Sequence, residues 1–194
     1  AWLTKEGVDL KVIAAFSIAA VPYSLKFLWS PLLDRFVPPF LGRRRGWLVV
    51  TQVVLILTIA LMAVQDPTHL NQFAVTSTDV CRNITWLKGM CEFWETFKSL
   101  SASPFFLAAF VVAFFSASQD IVADAYRTDV LLEPERGAGA SLFLLGYRAA
   151  ILVAGAVTFQ LAGWMSWQRV YLIMALLMTI GLVASLFAPE PTVQ

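Results

Sequence analysis

The sequence predicts an all-α polytopic membrane protein, and three observations carry that prediction. Charge is scarce: 14% of the 194 residues are Asp, Glu, Lys or Arg and 59% are hydrophobic, against about 25% charged and about 45–50% apolar in an ordinary soluble domain. Mean hydropathy is +0.72, so there is too little polar surface to coat a water-soluble exterior. The apolar residues also fall into five runs near the ~20 residues that a helix needs to cross a bilayer. Net charge is +1, which leaves no electrostatic footprint for a nucleic-acid partner.

The first span is expected over 10–33 and contains Pro22 and Pro31, which bilayer helices tolerate better than soluble ones. It ends at Asp34-Arg35, followed by Pro38-Pro39 and the cluster Gly42-Arg43-Arg44-Arg45. The second span, 47–64, is a nearly unbroken apolar run closed by Gln65-Asp66-Pro67. The polar segment 66–103 is too long for a tight connection and is expected as a loop. The third span, 104–132, opens at Pro104, stays apolar through Phe115 and then turns polar. Glu133-Pro134-Glu135-Arg136, with Gly137 and Gly139, forms the next connection. A Gly- and Ala-rich fourth span covers 140–162, and the fifth, 170–188, stops at Pro189 and Pro191. The chain opens at Ala1 without an initiator Met and is expected to be a piece of a longer protein.

Basic residues mark the cytoplasmic side. Arg35, Arg43, Arg44 and Arg45 crowd one short connection, which places that turn and the 133–139 loop inside and the 66–103 segment outside. Cys81 and Cys91 then lie in an oxidising compartment as candidates for a disulfide, the alternative being two free thiols. His69 is the one histidine of the chain. With two cysteines beside it in the same outer segment, it leaves no material for a multi-His metal site or a Ser–His or Cys–His nucleophile within the membrane. No metal, cofactor or enzymatic activity is expected.

The charges that remain sit where charge is expensive. Ser116, Asp120, Asp124 and Arg127 fall at offsets that form one stripe on a helix. Asp129 lies about half a turn away. Asp124 and Arg127, three apart, are placed to pair. A charged side chain at mid-membrane costs about 2.5–3.5 kcal/mol on insertion scales, so several on one helix must meet partners or water. Arg127 and Asp129 are close enough to the loop to reach the interface. Asp120 lies ~18 Å of helix from Leu132, too deep for a short side chain to snorkel, and is expected with Asp124 to line an internal cavity. Arg148 sits inside the fourth span without an acid on its own helix, so its most economical partner is Asp120 or Asp124. Lys26, in the first span, is either a site residue or a snorkelling one.

Two blocks of sequence carry a family resemblance. Asp34-Arg35 followed by Gly42-Arg43-Arg44-Arg45 resembles the connection between helices 2 and 3 of the major facilitator superfamily, with wider spacing. Ser30-Pro31-Leu32-Leu33-Asp34-Arg35-Phe36, with Pro38-Pro39-Phe40 and Gly42-Arg43-Arg44-Arg45-Gly46-Trp47, resembles the AmpG-type muropeptide permeases. So do Ser116-Ala117-Ser118-Gln119-Asp120-Ile121-Val122, Thr128-Asp129-Val130-Leu131, Glu135-Arg136-Gly137-Ala138-Gly139-Ala140 and Leu145-Gly146-Tyr147-Arg148. The resemblance covers the chain except about 67–103. It implies helices 2 to 6 of a twelve-helix transporter: a partial N-terminal half, whose partners include the lipid bilayer and the remaining helices.

The implied function is proton-driven import of anhydro-muropeptides across the bacterial inner membrane for cell-wall recycling. Asp34, Arg35, Arg43, Arg44 and Arg45 would form the cytoplasmic gate. Such substrates are anionic amino-sugar peptides, so Arg148, Arg127, Lys26 and Gln119 are candidate substrate contacts. Asp120 and Asp124 are candidates for the coupled proton, because protonation removes the cost of a carboxylate's charge in hydrocarbon. An acetyl-coenzyme A carrier is the nearer alternative. A membrane-embedded Mg²⁺-dependent transferase using Asp120, Asp124 and Asp129 is more distant, as is a protein that binds its ligand without moving it.

Overall fold

The computed structural model describes residues 2–39, 41–73 and 88–191, and every regular element among them is helical. Five helical stretches are long and apolar enough to cross a membrane: Leu10–Leu28, Arg43–Val64, Pro104–Val130, Glu133–Trp164 and Trp167–Phe187. The protein is a multi-pass membrane protein.

The first span is a chain of short pieces. An α-helix over Leu10–Phe16, N-capped by Asp9 accepting from the Lys11 amide at 2.7 Å, passes into a 3-10 turn at Ser17–Ala20. Helix resumes at Val21–Leu25, tightens again at Lys26–Leu28 and restarts at Ser30–Arg35. Pro22 and Pro31 sit in the opening turns of the two restarted helices. Each lacks an amide hydrogen and excludes the carbonyl four residues back, so each ends one helix and begins the next.

The second span begins at Arg43, inside the basic cluster, because the three arginines form its first turn. The third begins with Pro104 in its first turn and runs unbroken to Val130. The fourth passes through a π-helical turn at Val153–Val157. Its Thr158 hydroxyl reaches back to the Val153 carbonyl, five residues away, at 3.4 Å.

The second span is the centre of the bundle, packed between the third and fifth, while the pieces of the first lie along the third. Two clusters hold this arrangement. At the arginine end, Leu33, Leu48 and Val122 pack with Trp29, Trp47 and Tyr126. At the other end, Val12, Ala15, Leu100, Phe106 and Val170 form a larger core in which the Phe16 and Phe106 rings meet edge to face at 5.2 Å, a favourable aromatic geometry. The fourth span differs: none of its apolar window is buried, and its main contacts are with its own flanking turns and, near Trp164, with the fifth span.

The segment expected as a loop contains regular structure. Pro67–Phe73 forms 3-10 turns and Lys88–Leu100 a 13-residue α-helix. Cys81, and with it the expected disulfide to Cys91, lies outside the described residues.

Candidate functional site

Two groups of charged side chains mark the bundle, one midway along the first and third spans and one at the arginine end. The midway group is built on the polar stripe of the third span. The 3-10 turn Lys26–Leu28 faces that helix, and the Lys26 ammonium meets the Asp120 carboxylate at 2.5 Å. One turn towards the apolar end, Tyr23 and Ser116 share a hydrogen bond. The Trp29 indole donates to Ser118 Oγ at 3.1 Å and its ring lies 4.8 Å from that of Phe114. One turn the other way, Asp124 pairs with Arg127 at 3.2 Å. Both partners of the Lys26–Asp120 pair are 39% exposed at the side chain, so the pair lies on an open face of the bundle. Beside it, Gln119 Oε1 is buried with no hydrogen-bond partner among the described residues.

Arg148 is not the partner of these acids. It is exposed on the fourth span and makes no ion pair with a described residue. The reason is packing: the fourth span stands away from the third, although the Arg127 guanidinium lies over the Phe143 ring, 4.5 Å from its centroid. Lys26 takes Asp120 instead, because its helix piece is packed there and its stem is long.

At the arginine end, the residues expected to form a gate divide. Arg44 holds Asp34 through one terminal nitrogen and Asp129 through Nε, each at 2.7 Å, and so ties the first and third spans to the second. Arg45 donates to the Leu186 carbonyl, reaching the end of the fifth span. Among the described residues Arg43 makes no ion pair, and its Nε is buried without a hydrogen-bond partner. Arg35 is exposed. Glu190, which the sequence reading passed over, completes the group. Its two carboxylate oxygens accept from the backbone amides of Arg44 and Arg45, each at 3.0 Å, capping the positive end of the second span. The Tyr126 hydroxyl donates to the neighbouring Pro189 carbonyl at 2.9 Å. A cavity of about 630 Å³ opens here, lined by Arg43, Arg44, Arg136, Asp129, Glu133 and Glu190 among others, so cations and anions balance on its wall.

Arg44 is 12% exposed at the side chain and Asp129 36%, which places their bond between a surface and a buried pair. In a double-mutant cycle on thermal unfolding in detergent, Arg44→Gln and Asp129→Asn are expected to couple by about 1 kcal/mol. A coupling of zero would mean that Arg44 is held by Asp34 alone.

A family model described as Acetyl-coenzyme A transporter 1 matches residues 4–154. The chain belongs to that family. It is 44% identical over 99% of its length to the anhydromuropeptide permease of Escherichia coli K12, of which it covers 33%. A Haemophilus influenzae protein is 36% identical over 100% of the chain, with 38% of that protein covered. A Rickettsia conorii protein named as an AmpG transporter is 26% identical over 94% of the chain, with 38% covered. The chain therefore spans about a third of the length of the relatives it matches. The resemblance to AmpG-type permeases extends across nearly the whole sequence, the segment 67–103 included. The Escherichia coli and Rickettsia conorii relatives are named as a permease and a transporter. The three aspartates raised as magnesium ligands are in addition each engaged by a cation, Asp120 by Lys26, Asp124 by Arg127 and Asp129 by Arg44.

Proposed function

We propose that this chain forms part of a proton-coupled importer of anhydro-muropeptides of the major facilitator superfamily, acting in the bacterial inner membrane in peptidoglycan recycling. The identity with the Escherichia coli anhydromuropeptide permease is the observation that carries the substrate assignment. The Lys26–Asp120 pair carries the coupling. Protonation of Asp120 neutralises its carboxylate and frees the Lys26 ammonium for a carboxylate of the substrate. Loss of that proton returns Lys26 to Asp120 and releases the substrate. Asp124 and Arg127 form a second such pair one turn away. Gln119, with its free buried carbonyl, and Arg148, on the exposed fourth span, are further substrate contacts. Arg44, Asp34 and Asp129, with Arg35, Arg43 and Arg45 around them, form the cytoplasmic gate, since they join three helix ends through one guanidinium.

A second reading has its own observation, the match to the acetyl-coenzyme A transporter 1 family. Both cargoes are anionic, so the same cations serve either. Uptake separates them. Cells lacking their own permease and expressing the complete reading frame that encodes this chain are expected to accumulate labelled anhydro-muropeptide and not labelled acetyl-coenzyme A. Accumulation of acetyl-coenzyme A alone would transfer the assignment to the second reading.

A further inference from the structure

The helix Lys88–Leu100 divides lengthwise into three sectors. One faces the bundle: Thr96 and Leu100 are buried, and Glu92 pairs with Lys11 of the first span at 3.2 Å. A second sector is polar, where Lys98 pairs with Glu95 at 3.0 Å in the open. Between them, on one flank only, runs an apolar strip in which Met90 is 64% and Trp94 53% exposed, one turn apart, with Phe93 also exposed beside them.

The direction in which that strip faces is set by its aromatic contacts. The Trp94 ring lies 5.7 Å from Phe97, Phe97 lies 5.8 Å from Phe106, and Phe106 lies 5.2 Å from Phe16. Phe106 belongs to the first turn of the third span, so the strip descends onto the start of a bilayer-crossing helix. The third span has 27 residues, a length of ~40 Å at 1.5 Å per residue. The hydrocarbon core is ~30 Å thick, so the ends of the span stand in the headgroup zone. Asp129, near its far end, meets Arg44; the Pro104 end is therefore the one opposite the arginine cluster.

We propose that the helix Lys88–Leu100 lies on the bilayer surface at that opposite end, its Met90–Phe93–Trp94 strip resting on the boundary between lipid headgroups and acyl chains. A Trp at that depth presents an apolar ring to the chains and its N–H to the headgroups. Lys98, 5.8 Å above the Trp94 ring, extends its ammonium towards water, as a snorkelling lysine does. The strip is then an anchor that fixes the level of the first and third spans in the membrane, the two spans that carry Lys26 and Asp120. The assignment does not depend on which substrate is carried.

The test uses the complete protein in phosphatidylcholine vesicles with a dansyl-bearing amino acid encoded at position 94 in one preparation and at position 95 in another. Lipid bearing a nitroxide high on its acyl chain is expected to quench the label at 94 about twofold or more over that at 95, and aqueous iodide to show the reverse order, as the interfacial position of aromatic belts requires. A label at position 90 repeats the measurement where the change at 94 disturbs folding. Equal lipid quenching at 94 and 95, or quenching at 94 and 90 by neither agent, overturns the proposal; the second result would mean that protein covers the strip.

Discussion

Asp120→Asn is expected to abolish proton-driven accumulation of substrate while leaving exchange of substrate across the membrane intact. Asn keeps the size of the side chain and a carbonyl acceptor for Lys26, but it carries no charge to be cancelled by a proton. A hydrogen bond to a charged group is worth about 1.5–3 kcal/mol, which is about 10- to 150-fold in the equilibrium that moves Lys26 between Asp120 and a substrate carboxylate. Lys26 is then permanently available, so substrate binding at high external pH is expected to strengthen as coupling disappears. The pair is half-exposed and the lysine stem is flexible, so the variant is expected to insert and fold. Accumulation is measured against counterflow in the same vesicles. If accumulation in Asp120→Asn equals that of the unaltered protein, Asp120 does not carry the proton, and Asp124 becomes the residue to test.

Gly42→Ala is expected to give the largest loss of stability at the arginine end. Gly42 has φ +84° and ψ −178°, a region of backbone space that is essentially restricted to glycine and costs about 1–3 kcal/mol for other residues. A Cβ there would lie 2.5 Å from the Glu190 Cδ atom, so the carboxylate must leave the helix end that it caps. Backbone strain and a lost cap therefore add. Thermal unfolding in detergent is expected to fall by several degrees, at about 2–4 °C per kcal/mol for a chain of this size. Glu190→Gln retains a hydrogen-bond acceptor and is expected to cost less than Gly42→Ala. Equal stability of Gly42→Ala and the unaltered protein would mean that neither the positive-φ backbone at Gly42 nor the Glu190 cap is present in the detergent-solubilised protein.

The spans were legible in the sequence because a bilayer dictates the length of an apolar run, and few other constraints produce five such runs in one chain. The breaks at Pro22 and Pro31 were visible as prolines, though not as restarts of the helix. The Lys26–Asp120 contact was half legible. Both residues stood out as charges in apolar surroundings, but nothing local joins positions 94 apart, and the lack of an acid on its own helix pointed Arg148 at Asp120 or Asp124. That choice required the fourth span to pack against the third, which it does not. Asp129 fell off the polar stripe, yet is bonded because Arg44 approaches from a different helix. Glu190 carried no signal, following a helix end among prolines. The helix Lys88–Leu100 escaped notice because it is 13 residues long and half polar, below what a search for spanning runs detects.

Proton movement driven by substrate is the decisive observable. Vesicles that contain the complete protein and a pH-sensitive dye, held without a membrane potential, are given external anhydro-muropeptide and no imposed pH gradient. Internal acidification that follows the substrate inward, and that is lost in Asp120→Asn, is the predicted result. Substrate entry with no change in internal pH would contradict proton coupling through the Lys26–Asp120 pair.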